Sequence, residues 1–192
     1  MTEWELKRRN MRRYNITAHI YESRYSVEQE EKIEAVLENL ELRRKCSILD
    51  IGCGTGLLFP HLQNSSHLIV GLDSSKEMLE KAEHVKKHLE NVHLILADAD
   101  HTSLLSNSFD QVFAITLLQN MPNRNRTLQE AKRVMKPNAK LVATGLTSHF
   151  TKEAFSTLFI RAKFNTSLVE PGDKPRFHIA ICEKGKPKID PC

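Results

Sequence analysis

The chain has 192 residues, which suits a single domain with a sizeable hydrophobic core. Hydrophobic residues make up 40% of it and charged residues 27%, a balance typical of globular proteins and unlike that of disordered chains. No apolar run approaches the roughly 18 residues of a membrane span, so we expect no membrane partner. The stretch from Met1 to Arg13 has no apolar segment like that of a secretory signal, and its acidic residues argue against a mitochondrial presequence, which favours the cytoplasm.

Net charge and cysteine spacing narrow the kinds of site. The formal net charge of +4 is mild, but basic residues cluster near both ends of the chain. Such clusters can attract an anionic partner such as RNA, or they can be solvated, fraying termini, and both interpretations stay open. The four cysteines form no CxxC pair, so we expect neither a metal site nor a disulfide framework. The basic residues are Lys7, Arg8, Arg9, Arg12 and Arg13 at the start, and Lys174, Arg176, Lys184, Lys186 and Lys188 at the end.

Apolar residues recur at helical spacing ahead of the first strand. Between Val27 and Leu42, the residues Ile33, Val36, Leu37 and Leu40 stand among glutamates and lysines. This period predicts a helix that buries one face.

From residue 46 onward, strand-like and helix-like segments alternate. Cys46–Ile51 is a short apolar run that ends in a glycine-rich turn. Strands that alternate with helices pair in parallel through right-handed crossovers, which predicts a doubly wound α/β sheet. Further predicted strands are Leu68–Leu72, Val92–Ala97, Gln111–Leu117 and Lys140–Gly145, and predicted helices are Leu57–Gln63, one after Ser75 with Met78, Leu79, Ala82 and Val85 on one face, and Arg124–Met135.

The end of the chain departs from this alternation. A predicted helix over Lys152–Phe159 is followed by two apolar segments, Ala162–Val169 and Phe177–Cys182. Between them lies the turn Pro171-Gly172-Asp173. Two strands joined by a short turn predict an antiparallel hairpin.

The turn after the first strand, Asp50-Ile51-Gly52-Cys53-Gly54-Thr55-Gly56, is the strongest functional motif. Ligands of open α/β sheets bind outside the carboxyl ends of the strands, where this turn lies, and its glycines allow a ligand to approach the backbone. A dinucleotide fingerprint counted from Gly52 requires glycine at the position of Leu57, which disfavours an NAD(P)-dependent oxidoreductase. The carboxylate of Asp50 would repel a pyrophosphate but would complement an ammonium group.

Acidic residues also end the next two predicted strands. Asp73 can accept both hydroxyls of a ribose, and it can equally cap the helix that begins after Ser74. Asp98 can accept the exocyclic amine of an adenine, while Ala99 leaves room for the ring. Asp100 is the less favoured candidate, because it can instead begin the following loop.

Together with Asp110 and the run Arg133–Leu141, these motifs resemble the class I S-adenosylmethionine-dependent methyltransferases, in the style of the ubiquinone and menaquinone biosynthesis branch. The resemblance covers residues 14–146 and implies a mostly parallel, seven-stranded sheet whose last strand is inserted antiparallel, in agreement with the predicted hairpin. Asn138-Ala139 stands where the family commonly has Gly-Gly, but asparagine tolerates the left-handed conformation of such a turn.

One domain over residues 1–192 follows from this resemblance. N-terminal helices in residues 1–44 would cap the donor pocket of a Rossmann-like core in residues 45–192. The resemblance implies S-adenosylmethionine as the methyl donor, S-adenosylhomocysteine as its product, and no metal. By position, the glycine-rich turn would approach the methionine moiety, and Asp50 would orient its amino group. Asp73 would hold the ribose, and Asp98 with Ala99 the adenine. The other positions assigned to the donor site are Gly52, Cys53, Gly54, Gly56, Ser74, Met78, Thr116, Leu117, Tyr14 and Tyr25.

The acceptor side of the predicted site is less defined. Relatives that methylate exocyclic amines often carry Asn/Asp-Pro-Pro-Tyr after the fourth strand, and Thr116–Pro122 does not match that motif. Gln119 and Asn120 can hydrogen-bond an acceptor, or they can form the turn before the next helix. His101 is a candidate base, although a loop histidine is more often only exposed. Tyr21 can stack on a planar acceptor or pack in the core.

The expected function is methyl transfer to an acceptor that can be a small molecule, RNA or protein. Because the chain is small and its ends are basic, RNA and an activating protein subunit both stay open as partners. The alternative is a non-catalytic methyltransferase-like subunit that binds S-adenosylmethionine and supports a partner protein. The three acids Asp50, Asp73 and Asp98 argue against that alternative, because a degenerate donor site has no physical need for them.

Overall fold

The computed structural model describes residues 1–172 and 175–184, and it begins with a single long helix. α1 spans Glu3–Glu38 without a break, in place of the several N-terminal helices that we expected. Thr2 and Glu5 form a capping box at its start, in which each side chain accepts a hydrogen bond from the other residue's backbone N–H. Its buried residues are Ala18, Gln29, Lys32, Ile33, Ala35 and Val36.

A seven-stranded sheet forms the centre of the described part of the chain, in the order β3-β2-β1-β4-β5-β7-β6. The first five strands pair in parallel, and β7 lies antiparallel between β5 and β6. The predicted sheet and its C-terminal hairpin are therefore confirmed. The strands are β1 (Cys46–Ile51), β2 (Ser66–Asp73), β3 (Val92–Leu96), β4 (Phe109–Ala114), β5 (Met135–Leu146), β6 (Phe164–Val169) and β7 (Phe177–Lys184).

Helices cover both faces of this sheet. One hydrophobic cluster joins α1 and the next two helices to the sheet, and a second cluster joins the last two helices to its opposite face. Neighbouring residues of β1 show the alternation, because Ile48 belongs to the first cluster and Leu49 to the second. No helix of the described residues has the length and apolarity needed to cross a membrane. The helices after α1 are α2 (Phe59–Leu62), α3 (Lys76–Lys86), α4 (Arg124–Val134) and α5 (Lys152–Arg161).

Strand β5 starts earlier than its apolar pattern predicts. The turn that we expected at Asn138-Ala139 lies inside the strand, where the pairing with β4 shifts register. Asn138 adopts a φ of 61°, the left-handed conformation that asparagine tolerates. The hairpin residue Asp173 and the basic residues Lys174, Lys186 and Lys188 lie outside the described residues.

Candidate functional site

A cavity of about 340 Å³ lies at the carboxyl ends of β1, β2, β3 and β4. This volume is in the lower part of the range of small-molecule sites. The segments that follow the strands line one side of the cavity. The first half of α1, from Trp4 to Tyr21, covers the other side and is called the roof. Its predicted lining residues are Gly52, Gly54, Asp73, Ser74, Met78, Asp98, Ala99, Thr116, Leu117, Asn120, Tyr14 and Tyr21, to which α1 adds Trp4, Lys7, Arg8, Asn10 and Met11. Asp50, Cys53, Gly56, Tyr25, His101 and Gln119 lie outside this lining.

The glycine-rich turn has one open position that faces the cavity. Gly54 has a φ of 56°, and nothing lies within 4 Å of the place where a side chain would begin. A side chain at Gly56 would instead begin 2.7 Å from the ring of Phe59 in α2, so this glycine serves the packing of the turn. Gly54 is therefore the glycine whose missing side chain leaves room for a ligand.

Asp73 holds the glycine-rich turn against the start of α3. Its carboxylate accepts hydrogen bonds from the backbone N–H of Gly54 at 3.0 Å and of Ser75 at 2.8 Å. The N-cap of α3 is Ser75, whose hydroxyl accepts from the backbone N–H of Met78. Burial raises the pKa of Asp73, and these hydrogen bonds oppose that rise. Asp73 thus lines the cavity with an acceptor that the backbone has already oriented.

Asp50 lies behind the cavity at the end of β1 and is only 3% exposed. Burial, with a smaller contribution from the charge of Asp73, raises the pKa of Asp50 to about 7. Within the described residues, no hydrogen-bond donor reaches its carboxylate. Cys53 is also buried beside these acids, and burial raises the pKa of its thiol well above the usual value. A cationic group bound nearby would favour the charged form of Asp50.

A lysine of α1 holds the two acids that follow β3. The ammonium Nζ of Lys7 lies 2.8 and 2.7 Å from the two carboxylate oxygens of Asp98. The same ammonium is 2.5 Å from Oδ2 of Asp100, whose side chain is fully buried. Sequence reasoning placed Lys7 only in a basic cluster. A helical stripe with 3- and 4-residue spacing, formed by Trp4, Lys7, Met11 and the tyrosines, would have indicated that Lys7 faces inward.

The second half of α1 reaches the end of β4. Thr116 has a φ of 58°, and its hydroxyl donates to Oε1 of Gln29 at 3.2 Å. It also accepts a hydrogen bond from Nζ of Lys32 at 3.3 Å. Lys32 is fully buried and is paired with Glu28 at 2.5 Å. Gln29 and Lys32 fix the wall of the cavity, and the sequence pattern did not identify either residue.

The acceptor candidates are placed unequally. Asn120 lines the cavity, but its side chain already donates to the backbone oxygen of Thr116 and accepts from Arg13. Tyr21 lines the cavity and accepts from Gln29, and burial raises the pKa of its hydroxyl well above the usual value. His101 is exposed and outside the cavity lining.

Two further sequence candidates stand behind these residues. Gln119 has a buried Oε1 with no hydrogen-bond partner among the described residues, and it does not face the cavity. Tyr25 packs its ring 5.2 Å from that of Tyr21, in a second layer. The structure therefore brings Asn120, Tyr14 and Tyr21 to the cavity and leaves Gln119, His101 and Tyr25 outside its lining.

Residues 49–143, which run from the second half of β1 through β4 to most of β5, match a family model described as a methyltransferase domain. A demethylmenaquinone methyltransferase of Staphylococcus haemolyticus is 31% identical over 127 residues, which are 65% of this chain and 53% of that protein. The chain therefore contains a methyltransferase domain, and its motifs resemble those of the class I S-adenosylmethionine-dependent methyltransferases. It spans about half the length of the curated relatives that it matches.

Solved structures agree with this similarity at the level of the fold. A S-adenosylmethionine-dependent methyltransferase from Aquifex aeolicus superposes with a TM-score of 0.71 at 20% identity, over 80% of this chain and 89% of that one. A chain from the complex of the Haloferax volcanii Trm112 methyltransferase activator with a methyltransferase gives a TM-score of 0.79 at 14% identity. That match covers 90% of this chain and 98% of the other.

The cavity of this methyltransferase domain fits the methyl donor that the family uses. The open position at Gly54 is a cradle that any larger residue would fill. Asp73 supplies an oriented acceptor, and Asp98 supplies a second one beside the small residue Ala99. Asp50 is a buried acid that a cation would stabilise. These residues complement the ribose hydroxyls, the adenine amine and the methionine ammonium of such a donor.

Proposed function

We propose that this chain binds S-adenosylmethionine in the cavity beneath α1 and transfers its methyl group to a planar, largely apolar acceptor. The observation that carries the proposal is the convergence of Gly54, Asp73 and Asp98 from three strand ends on one cavity of ligand size. In open α/β sheets, this edge is where ligands bind. A non-catalytic subunit that binds the donor would need the same convergence, so methyl transfer to an acceptor is what distinguishes the two roles.

Each donor-site residue has a distinct task in the proposal. Gly54 admits the methionine end of the donor, and Asp50 complements its ammonium through charge. Asp73 accepts the ribose hydroxyls while its backbone contacts keep the carboxylate in place. Asp98 accepts the adenine amine beside Ala99. S-adenosylmethionine, when bound, supplies a methyl group on a positively charged sulfur that a nucleophile can attack directly.

Positioning, rather than proton transfer, is the catalytic contribution that the cavity supports. Tyr21 keeps its proton at neutral pH because burial raises its pKa, and Asn120 does not titrate. Neither residue can act as a general base near pH 7. Transfer then depends on an acceptor that is already nucleophilic and is held in line with the donor. Tyr21 and Asn120 would form the walls that hold it, with Thr116 and Leu117 beside the reacting atoms.

The roof of the cavity supports a planar acceptor. Trp4, Met11 and Tyr14 of α1 line the cavity together with Leu117 and Met121. Aromatic and thioether side chains of this kind favour a flat, apolar ring system. The Staphylococcus haemolyticus relative is named as a methyltransferase of demethylmenaquinone. That named substrate is consistent with a flat, apolar acceptor.

Calorimetric titration tests the donor site directly. The purified chain is expected to bind S-adenosylmethionine and S-adenosylhomocysteine with micromolar affinity and to show no binding of NAD. Asp73→Asn is expected to weaken donor binding at least tenfold, because a charge-assisted hydrogen bond contributes about 1.5–3 kcal/mol. Unchanged affinity in that variant, or no binding by the unaltered chain, would contradict the donor assignment.

A matched control separates binding from stability. Asp110 is the second residue of β4, at the ends of the strands away from the cavity, where it accepts a hydrogen bond from the backbone N–H of Ser47 and pairs with Lys136 at 2.8 Å. Asp110→Asn removes the same charge far from the cavity, so donor affinity should stay unchanged even if the protein unfolds more easily.

An assay with labelled donor tests the acceptor class. A hydroxylated naphthalene should accept methyl groups in preference to single-stranded RNA or a mixed peptide. Preferential labelling of RNA would overturn the acceptor class while leaving the donor site intact.

A further inference from the structure

Lys7 makes the closest contact between α1 and the adenine side of the cavity. Its side chain is 15% exposed, and its ammonium lies between one partly exposed acid, Asp98, and one fully buried acid, Asp100. Lys7 and Asp98 both line the cavity, while Asp100 stands behind them and accepts from the hydroxyl of Thr127. The pairing joins residues that are 91 positions apart in the chain.

The contacts of Asp98 leave one acceptor position for a ligand. An ionised carboxylate has about four acceptor positions, two on each oxygen. On Oδ1, the ammonium of Lys7 and the backbone N–H of Asp100 use both. On Oδ2, Lys7 uses one at 2.7 Å, which leaves roughly one position free. A carboxylate held in this way accepts a hydrogen bond from one further N–H donor.

The same contacts attach the beginning of α1 to the floor of the cavity. Asn10 donates to the backbone oxygen of Asn120, and Glu3 accepts from the side chain of Asn123, so neighbouring contacts are polar as well. Lys7 differs from these because it contacts a side chain that lines the cavity at its adenine side. Any change in the position of the first turns of α1 therefore also changes the orientation of the Asp98 carboxylate.

We propose that Lys7 is a positioning residue for the methyl donor, which holds the Asp98 carboxylate so that it accepts the 6-amino group of the adenine. This inference rests on the proposed donor site and adds a residue and a specificity to it. Recognition of a 6-amino purine, as opposed to a 6-oxo purine, then depends on the closed position of α1. Lys7 acts through Asp98 and has no direct part in the transfer of the methyl group.

The experiment compares the binding of two ligands that differ at position 6 of the purine and in the proton on the adjacent N1. S-adenosylhomocysteine presents an amine there, and S-inosylhomocysteine presents a carbonyl oxygen that a carboxylate repels. Calorimetry is expected to show that the unaltered chain prefers the adenosyl ligand. Lys7→Met should weaken the adenosyl ligand about tenfold while changing the inosyl ligand much less, because the carboxylate is no longer oriented. Lys7→Arg should restore most of the preference, because it returns a cation to the same place.

Two further variants keep the result interpretable. Lys76→Met removes a lysine that is 72% exposed on α3, and it should change neither affinity. Lys7→Met leaves the buried Asp100 without its cation, which can destabilise the fold. The double variant Lys7→Met/Asp100→Asn removes that buried charge and should show the same loss of preference. Thermal unfolding of each variant with and without ligand confirms that the compared proteins are folded.

The possible outcomes are distinguishable. If the unaltered chain binds neither ligand, the donor-site proposal itself fails. If it binds both equally, or if Lys7→Met binds the adenosyl ligand as tightly as or more tightly than before, the role of Lys7 is overturned and the donor site stands. Equal weakening of both ligands would also overturn it, because that result means a purely structural contact. A selective loss of the adenosyl ligand, rescued by arginine, supports it.

Discussion

The two halves of α1 are held to the same domain by different forces. In the first half, polar contacts predominate, such as those of Lys7 with Asp98 and of Asn10 with Asn120. In the second half, Ile33 and Val36 are almost completely buried in the cluster that contains β1 and α2. One continuous helix is therefore a roof at one end and part of the core at the other.

The difference matters because the two kinds of contact differ in strength. Partly exposed ion pairs and hydrogen bonds contribute about 0–1 kcal/mol each, whereas a buried aliphatic side chain contributes several times as much. The first half should therefore separate from the cavity more easily than the second half, and most of its cost lies in leaving the buried Asp100 without the cation of Lys7. A donor beneath the roof could enter in this way without unfolding of the domain.

The largest effect is expected from Ile33→Ala in the second half. Ile33 is 2% exposed, and its truncation should lower the free energy of unfolding by about 2–5 kcal/mol, because it removes buried methyl groups and leaves a cavity. Urea denaturation measures this change. Ile16→Ala is the matched control, since Ile16 on the first half is 71% exposed and should change stability by less than about 0.5 kcal/mol. Equal losses in both variants would remove the distinction between the halves.

A pH titration separates the donor's contacts with the strand ends from its contacts with α1. Asp50 has a pKa raised to about 7, so it is charged above that pH and neutral below it. Because the charged form complements the donor ammonium, affinity for S-adenosylhomocysteine should be constant above pH 7 and should fall by up to tenfold per unit below it. Calorimetry between pH 6 and 8.5 measures the slope.

The variant Asp50→Asn isolates the contribution of this group. It should bind more weakly at pH 8, and its remaining pH dependence should be smaller than that of the unaltered chain. In the free protein, the effect of rising pH on folding stability has the opposite sign to its effect on donor affinity. A carboxyl with a raised pKa in the folded state costs stability as the pH rises from its usual pKa toward 7. A pH-independent affinity in the unaltered chain would mean that Asp50 does not complement the ammonium.

The sheet was predictable because its information is local. Each strand is a short apolar run, and the alternation of strands with helices specifies parallel pairing. The glycine-rich turn and the acids at the strand ends were predictable for the same reason, since Asp73 and Asp98 directly follow their strands. Parallel pairing followed from the alternation and the hairpin from its short turn, whereas the seven-stranded arrangement with an inserted last strand came from the resemblance to the methyltransferases.

The roof was not predictable in the same way. Residues 3–14 are polar and basic, a composition that also suits a fraying terminus. What keeps them helical includes contacts with distant residues, such as that of Lys7 with Asp98 and of Asn10 with Asn120, which no local pattern can show. Likewise, Gln29 and Lys32 lie on a helix with polar neighbours, and only the fold brings them to Thr116.

Only a small stability effect is expected from Asn10→Ala, which tests whether the roof opens separately. The side chain of Asn10 donates to the backbone oxygen of Asn120 at 2.7 Å, a partly buried contact. Its loss should lower the free energy of unfolding by less than about 1 kcal/mol, because water can donate to the backbone oxygen of Asn120 in place of the missing side chain. The dissociation rate of S-adenosylhomocysteine should nevertheless rise several-fold, because the roof opens more often. Stopped-flow displacement measures that rate, and amide exchange should be faster in residues 3–14 than in residues 29–38. A variant that loses stability across all of α1, with an unchanged dissociation rate, would show that the helix moves only as a whole.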